Sequence, residues 1–450
     1  MSDIIAAVAT GWQPSAIGIL RLSGEGAIDL AHQVFTPRYK KEAADRSLIM
    51  GWLHDKHGRI IDEVLLTVSH GPNSYTGEDT AEFQCHGSPA VLTAGLEALF
   101  EKGARQAGPG EFTKRAFLNG RMDLTQAEAV IDLIDAESTE AAANAVGQLG
   151  GAMLRKIAPI YDRMTDMMAH FHAVLDYPDE DIDPFELQQF RGQMEADADT
   201  LYNLLSTYGR GQVLKKGLRV AILGRPNAGK SSLPNALAGI DRVIVTDIAG
   251  TTRDSVEETV KLGRHLLRLV DTAGIRDTDD VIERMGVERA EAAASKADLA
   301  IYVCDGSMSL TEEDLRAQRA AMDAPRAIAV LNKQDLPQVT TPSDLPFDWV
   351  IPMCAKTGEG LEQLEDVLDT LFGDELPCDG SILTNARQAD AVRRAGKAME
   401  QALSSMTQDM TPDAVLVDVE AAMEALGEIT GQTMREEITN RIFERFCVGK

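Results

Sequence analysis

The stretch Gly224-Arg225-Pro226-Asn227-Ala228-Gly229-Lys230-Ser231 decides the fold of one part of the chain. It follows the short apolar run Arg219–Leu223, so it matches the pattern GxxxxGK[ST] in the strand–loop–helix setting that this pattern requires. The glycines let the backbone curl so that its N–H groups surround phosphates. Lys230 can reach the β and γ oxygens, and the Ser231 hydroxyl can ligate Mg²⁺. The sequence therefore predicts a phosphate-binding loop whose contact residues are Asn227, Ala228, Gly229, Lys230, Ser231 and Ser232.

Pro234 stands four residues after Lys230, where the first helix should already be hydrogen-bonded. Proline has no N–H to donate to the Lys230 carbonyl, and its ring crowds that turn. We expect the helix either to begin late or to kink.

Two segments downstream can respond to the γ-phosphate. Leu266–Val270 is a predicted strand that runs into the DxxG pattern, Asp271-Thr272-Ala273-Gly274. The acid can hold Mg²⁺ through water, and the Gly274 N–H can sense the γ-phosphate. Before this strand, in Asp247-Ile248-Ala249-Gly250-Thr251-Thr252, the Thr252 hydroxyl can ligate Mg²⁺ when the loop closes.

A base-reading pattern follows a third predicted strand, Ala327–Leu331. In Asn332-Lys333-Gln334-Asp335 the Asp335 carboxylate can accept hydrogen bonds from guanine N1–H and the 2-amino group, donors that adenine lacks. Cys354-Ala355-Lys356 stands where GTPases usually carry Ser-Ala-Lys. The four motifs in this order predict a Ras-like P-loop GTPase domain. Because Ile275 replaces the glutamine that orients water in Ras-like proteins, catalysis must use another group.

Composition limits the remaining possibilities. A chain of 450 residues predicts about three domains. The five cysteines are scattered without a CxxC pair, which disfavours disulfides and structural zinc and fits a reducing cytoplasm. The start MSDIIAAVAT is unlike a signal peptide, and no apolar run is long enough for a membrane span. A net charge of −27 argues against broad, non-specific nucleic-acid binding.

The order of strand-like and helix-like sequence patterns along the chain predicts an α/β multidomain protein. Short β-like runs at Ile17–Leu22, Val64–Val68 and Thr80–Gln84, with a helix near Pro89–Phe100, predict a mixed α/β domain over residues 1–120. Apolar residues from Met153 to Leu175 recur at helical spacing, which favours a helix-bundle core over a Met-rich binding groove. We therefore predict an all-α helical domain in two parts, residues 121–213 and 379–450, with the GTPase domain, residues 214–378, inserted between them.

The whole chain resembles the MnmE (TrmE) family of tRNA-modification GTPases. Four stretches outside the nucleotide motifs carry the resemblance: Gly18-Ile19-Leu20-Arg21-Leu22-Ser23-Gly24, Tyr75-Thr76-Gly77-Glu78-Asp79, Asn119-Gly120-Arg121-Met122-Asp123-Leu124-Thr125-Gln126-Ala127-Glu128 and Phe446-Cys447-Val448-Gly449-Lys450. In that family a folate-binding dimerisation domain precedes a helical domain that the GTPase domain interrupts. This organisation matches the domain division predicted from the strand-like and helix-like sequence patterns.

The resemblance implies a hydrolytic mechanism. A potassium ion would lie against the phosphates where other GTPases receive an arginine finger, and two GTPase domains would associate across it. The implied potassium ligands are Asn227, Thr246, Ile248 and Thr251. Glu283 matches the family's water-orienting glutamate and would replace the missing glutamine.

The resemblance also implies chemistry and partners. The N-terminal domain of a homodimer would bind 5-formyl-tetrahydrofolate or a related folate as one-carbon donor. The implied folate contacts are Arg21, Glu82, Arg121 and Lys450, and the Cys447 thiol is a candidate participant in the chemistry. With an FAD-containing partner, MnmG, the family installs an aminomethyl-type group on the wobble uridine of certain tRNAs.

The nucleotide motifs also fit a translation-linked switch without modification chemistry, such as a ribosome-assembly GTPase of the Era or Der kind. The one GxxG run, Gly147-Gln148-Leu149-Gly150, lacks basic neighbours and is a poor match to a KH loop. A membrane-recruited dynamin-like scaffold is a third possibility, but the chain lacks a basic amphipathic helix. Folate binding by residues 1–120 would distinguish a tRNA-modification GTPase from both the ribosome-assembly GTPase and the dynamin-like scaffold.

Overall fold

The computed structural model describes residues 3–39, 45–176, 184–238, 258–270, 294–373, 379–408, 410–433, 436–444 and 446–449. The chain divides into two compact units. The first contains Met1–Ile134, Ala145–Leu205 and Arg387–Lys450, and the second contains Asp135–Asn144 and Ser206–Ala386.

The first unit begins with a seven-stranded sheet. Its strands are β1 (Ile5–Val8), β2 (Ser15–Ser23), β3 (Phe35–Pro37), β4 (Leu48–His54), β5 (Ile60–Ser69), β6 (Thr80–Gly87) and β7 (Arg105–Gln106), in the order β3-β4-β5-β6-β2-β1-β7. The helices around it are α1 (Ala27–Gln33), α2 (Pro89–Glu101) and α3 (Glu111–Leu118). In β6 the alternate residues Ala81, Phe83 and Cys85 are buried in one core with Leu92 and Leu96 of α2. The three predicted β-like runs fall in β2, β5 and β6, where such a period of two is visible in the sequence, whereas β1, β3, β4 and β7 were not predicted.

Four helices follow the sheet domain: α4 (Leu124–Ile134), α5 (Thr139–Leu149), α6 (Ala152–Asp176) and α7 (Pro184–Ser206). Six apolar side chains at helical spacing along α6 are buried: Met153, Ile157, Ile160, Met164, Met167 and Phe171. The prediction that this stripe is helix core is confirmed for these six residues. Leu154 and Met168 are half-buried, and the side chains of Val174 and Leu175 lie outside the described residues. The predicted break after α6 falls on residues 177–183, which lie outside the described ranges.

The second unit contains α8 (Tyr208–Lys216), β8 (Leu218–Leu223), α9 (Ser232–Ala238), β9 (Glu258–Leu262), β10 (His265–Val270), β11 (Leu299–Asp305), α10 (Glu312–Met322), β12 (Ala327–Asn332), β13 (Val350–Pro352) and α11 (Leu361–Phe372). Its sheet has the order β13-β12-β11-β8-β10-β9 and is parallel except for the β9–β10 hairpin. Every residue of β11 is buried, as expected for a parallel strand covered on both faces. The carboxyl ends of β8, β11 and β12 meet at one edge, where ligands of such sheets bind.

Three more helices complete the first unit: α12 (Ala386–Thr407), α13 (Pro412–Thr430) and α14 (Glu436–Phe443). Arg387 and Gln388 of α12 both donate to the buried Glu128 carboxylate of α4, with N···O distances of 2.7 Å to Oε2. Helices from before and after the second unit therefore pack together. The predicted fold class, with an α/β GTPase domain inserted into a helical domain, is confirmed. The boundaries at residues 120, 213 and 378 stay predictions. Within the described ranges, none of the helices is long and apolar enough to cross a membrane.

Candidate nucleotide site and the site at residues 446–449

The phosphate loop connects β8 to α9, and two of its residues must be glycine. Gly224 has φ +150°, and a Cβ there would lie 2.4 Å from the Val303 carbonyl oxygen. Gly229 has φ +104°, and its Cβ would lie 2.0 Å from Asn332 Nδ2. Close approach to β11 and β12, together with a left-handed backbone, therefore explains both glycines.

Lys230 points back along this loop. Its Nζ donates to the carbonyl oxygens of Gly224 at 2.7 Å and Arg225 at 2.8 Å. Burial lowers the pKa of Lys230 from its usual value, against a smaller opposing effect of Glu313. Because hydrogen bonds to phosphate are stronger than hydrogen bonds to neutral carbonyls, this ammonium can exchange its carbonyl partners for phosphate oxygens.

The helix after the loop begins late, at Ser232. The N–H groups of Ser232 and Leu233 both donate to the Gly229 carbonyl, at 3.0 and 3.2 Å. Pro234 is then the third helical residue, within the first turn, where few N–H groups have intrahelical partners. Of the alternatives expected from Pro234, a late start and a kink, the start at Ser232 corresponds to the late start.

Asn332 joins the phosphate loop to the predicted guanine site. Its Nδ2 donates to the Ala228 carbonyl at 2.9 Å, and its Oδ1 accepts from the Ala355 N–H at 3.0 Å. Cys354 and Ala355 are buried, whereas Asp335 and Lys356 are exposed. One side chain thus connects three of the segments that the sequence predicts to bind the nucleotide.

Lys333 has a left-handed backbone, with φ +66°, and its Nζ donates to Asp305 Oδ2 at 2.7 Å. Burial opposes ionisation of Asp305, but hydrogen bonds from Lys333 and Ser307 outweigh it and hold the pKa below its usual value. Asp305 lies outside all the predicted nucleotide motifs. The available signal was its position at the carboxyl end of an apolar strand that lies between β8 and β12.

Asn227, another predicted contact, is exposed with φ +62°, and Ser231 is exposed where the loop enters α9. The remaining predicted nucleotide, metal and catalytic residues lie outside the described ranges: Thr246, Ile248, Thr251, Thr252, Asp271, Thr272, Ala273, Gly274 and Glu283. Their roles stay predictions.

The predicted folate residues Arg21 and Glu82 face each other across β2 and β6. Arg21 Nε lies 2.6 Å from Glu82 Oε1. The Arg21 guanidinium carbon is 5.7 Å from the ring centroids of both Tyr75 and Phe112. This arrangement places a cation, a carboxylate and two aromatic rings together on the first unit.

Residues 446–449 lie against the same region. Gly449 O accepts from Arg21 Nη1 at 3.4 Å, and the Gly110 N–H donates to Cys447 O at 3.2 Å. Val448 forms an antiparallel bridge with Pro109. Gly449 has φ +101°, and a Cβ there would lie 2.2 Å from the Val8 carbonyl oxygen.

The Cys447 side chain is exposed beside these contacts. Arg121, also exposed, lies against the Tyr75–Asp79 loop, with its Cγ 3.2 Å from the position of a Cβ on Gly77. Lys450 lies outside the described ranges.

A parallel sheet whose edge unites a phosphate loop with an NKxD segment defines the class of P-loop guanine-nucleotide-binding proteins. Comparison with known families narrows this class. The model described as "MnmE helical domain" matches residues 124–447, and "GTP-binding protein TrmE N-terminus" matches residues 4–121. The chain belongs to the MnmE family of tRNA modification GTPases, which confirms the resemblance seen in the sequence.

Full-length relatives agree with the family models. The tRNA modification GTPase MnmE of Roseiflexus sp. (strain RS-1) is 41% identical, with 100% of this chain and 99% of the relative covered. The MnmE of Clostridioides difficile (strain 630) is also 41% identical, with 100% of both chains covered. Among solved structures, the G domain of the T. maritima FeoB iron transporter is 24% identical, with a TM-score of 0.26, over 35% of this chain and 99% of that chain.

Proposed function

We propose that this chain hydrolyses GTP as part of the modification of the wobble uridine of certain tRNAs. The observation that supports the proposal most directly is the double hydrogen bond of Asn332 to Ala228 and Ala355, because it holds phosphate-binding and base-binding segments in one site. The relatives named above are tRNA modification GTPases over their full length. A full-length match of this kind favours the modification enzyme over a ribosome-assembly switch.

In the proposed nucleotide site Lys230 binds the β- and γ-phosphates and Asp335 reads the guanine. The exposed Ser231 hydroxyl is an oxygen ligand of the kind that Mg²⁺ prefers, and Thr252 is its proposed partner. The bound Mg²⁺ would neutralise charge on the phosphate oxygens.

For potassium we propose Asn227, Thr246, Ile248 and Thr251 as the ligands, with the GTPase domains of two chains associating around the ion. The exposed position of Asn227, in a left-handed turn of the phosphate loop, supports this proposal. GTP hydrolysis by the full-length protein should be faster in potassium chloride than in sodium chloride of equal ionic strength. Asn227→Ala is the variant that should lose this difference. Equal turnover of the wild type in both salts would contradict the cation proposal.

We further propose that Arg21, Glu82, Arg121 and Lys450 bind 5-formyl-tetrahydrofolate or a related folate. Cationic side chains suit the glutamate tail of a folate, and a carboxylate suits the paired N–H donors of the pterin. The Arg21–Glu82 pair beside two aromatic rings supports the proposal, because a flat pterin can stack on such rings. When bound, the folate would supply the one-carbon unit.

The proposed assembly is a homodimer that acts with the FAD-containing MnmG on tRNA in the cytoplasm. A net charge of −27 suits an assembly in which the partner supplies much of the tRNA-binding surface. Mass spectrometry of tRNA wobble uridines tests the function in cells that lack this chain, complemented with the wild type or with Lys230→Ala. We expect the aminomethyl-type group only with the wild type. Unchanged wobble uridines in cells lacking the chain would contradict the proposal.

A further inference from the structure

Four charged residues form a continuous path from the phosphate side to the base side of the nucleotide site. Lys230 Nζ donates to the Arg225 carbonyl at 2.8 Å. The Arg225 side chain extends to Asp305, with Nη2 and Oδ2 3.5 Å apart. The same Asp305 oxygen accepts from Lys333 Nζ at 2.7 Å. The two lysines of the phosphate and base motifs are therefore linked through Arg225 and Asp305.

Asp305 is the fixed member of this path. Its side chain is 3% exposed, and its second oxygen, Oδ1, accepts from Ser307 N at 3.0 Å and Ser307 Oγ at 2.6 Å. A buried carboxylate is tolerated only when it is paired and hydrogen-bonded, so these partners define its position closely. Asp305 can thereby hold Lys333 in its left-handed conformation beside the base-reading loop.

Arg225 is the adjustable member. Its Nε lies 3.6 Å from Asp314 Oδ2 and is buried without a hydrogen-bond partner among the described residues. Asp314 is already hydrogen-bonded by Thr311 and Tyr302. Within the described part of the chain, charge attraction to two acids therefore holds the Arg225 guanidinium, and its Nε makes no directed hydrogen bond. Such a contact can tighten or relax when the phosphate loop moves by a few tenths of an ångström.

We propose that Asp305 is a positioning residue for nucleotide binding, which fixes Lys333 on the base side and, through Arg225, the phosphate loop. Recognition of the guanine and of the phosphates is thereby energetically coupled. This inference rests on the proposed binding of GTP and adds to it Asp305 and Arg225, which are not among the predicted nucleotide contacts.

A double-mutant cycle on the full-length protein tests the coupling. The affinity for fluorescent GDP is measured for the wild type, Asp305→Asn, Arg225→Met and the double variant, together with the midpoint of thermal unfolding. Asp305→Asn should weaken GDP binding about 10- to 100-fold, the usual effect of losing a hydrogen bond between charged groups. Arg225→Met should weaken it about 10-fold. The double variant should bind within about threefold of Asp305→Asn, because both changes break the same path.

Asp314→Asn is the matched control. Asp314 is as deeply buried as Asp305 and also lies beside Arg225, but among the described residues the Lys333 ammonium pairs with Asp305. We expect Asp314→Asn to lower the unfolding midpoint and to leave GDP affinity within about threefold of the wild type, because it keeps the contacts of Asp305 with both Lys333 and Arg225.

Three results would overturn the inference while GTP binding itself stands. The first is a GDP affinity of Asp305→Asn equal to that of the wild type. The second is an equal loss of GDP affinity in Asp305→Asn and Asp314→Asn. The third is a double variant whose loss of GDP affinity is the product of the two single losses. If Asp305→Asn fails to fold, unchanged affinity in Arg225→Met overturns it alone. A wild type that binds no GDP would instead remove the proposed function.

Discussion

The Asn332 side chain lies 2.9 Å from the Ala228 carbonyl oxygen and accepts the Ala355 N–H at 3.0 Å, and it is 2% exposed. Asn332→Ala would leave both backbone groups without this partner in a buried place. We expect a loss of about 1–3 kcal/mol in the free energy of unfolding, with clearly weaker GDP binding. Urea unfolding and nucleotide titration measure the two effects. Asn235→Ala is the matched control, because the exposed Asn235 amide donates to the Ser231 carbonyl without joining separate segments. Equal effects of the two substitutions would contradict the role assigned to Asn332.

Asp335 is the proposed reader of the guanine base. Asp335→Asn should shift preference from guanine toward xanthine nucleotides, because the amide offers a donor where xanthine presents a carbonyl. Competition between GDP and xanthosine diphosphate measures the change in one sample. A variant with unchanged GDP affinity would exclude Asp335 from base reading.

Glu283 lies outside the described residues, and its role as the group that positions the attacking water stays a prediction. Glu283→Ala should lower GTP turnover in potassium and leave GTP affinity nearly intact, since a water-positioning group acts after binding. Single-turnover hydrolysis separates the two quantities. Glu312→Ala, at a surface position on α10, is the control and should keep normal turnover. Normal turnover of Glu283→Ala would show that another group positions the water.

Residues 447–450 test whether the two activities occupy separate sites. Cys447 and Gly449 belong to the first unit and contact its N-terminal part through backbone groups near Arg21, whereas the nucleotide motifs belong to the second unit. Deleting residues 447–450 should abolish tRNA modification and weaken formyl-tetrahydrofolate binding, with GTP hydrolysis in potassium close to the wild-type rate. Mass spectrometry of tRNA and folate titration follow the first two effects.

Two point variants then distinguish the contributions of individual side chains in residues 447–450. Cys447→Ser tests the thiol, and Lys450→Ala tests a cationic contact with the folate. A deletion variant that keeps modification but loses hydrolysis would show that the two activities are not divided in this way.

Local sequence patterns could predict individual helices and strands, because hydrophobic spacing and backbone hydrogen bonding act between residues close in sequence. Apolar runs at Arg219–Leu223 and Ala327–Leu331 become β8 and β12, strands of a parallel sheet. The missing N–H of Pro234 indicated either a late helix start or a kink, and the helix starts late, at Ser232. Insertion of the GTPase domain could also be predicted, since helix-like sequence patterns resume after the last nucleotide motif.

Contacts between distant residues could not be predicted in this way. Arg225 and Asp305 meet because the sheet aligns the ends of β8 and β11, and no short motif marks Asp305. Without the family resemblance, Arg21 and Glu82 would have been taken for ordinary surface charges. Their pairing depends on the register of β2 and β6, which the sequence alone does not define.

The hydrogen bond between Arg21 and Gly449 spans 428 residues of sequence. At the usual rate of synthesis, roughly 20 to 90 s separate the appearance of its two ends on the ribosome. During that interval the seven-stranded sheet can form, but Pro109 and Gly110 lack their partners at residues 447 and 448. The region around Arg21 is therefore completed late in translation, and a ribosome that stalls within the last helices leaves a nascent chain whose GTPase domain has been synthesised but whose N-terminal domain still lacks its contacts with residues 447–449.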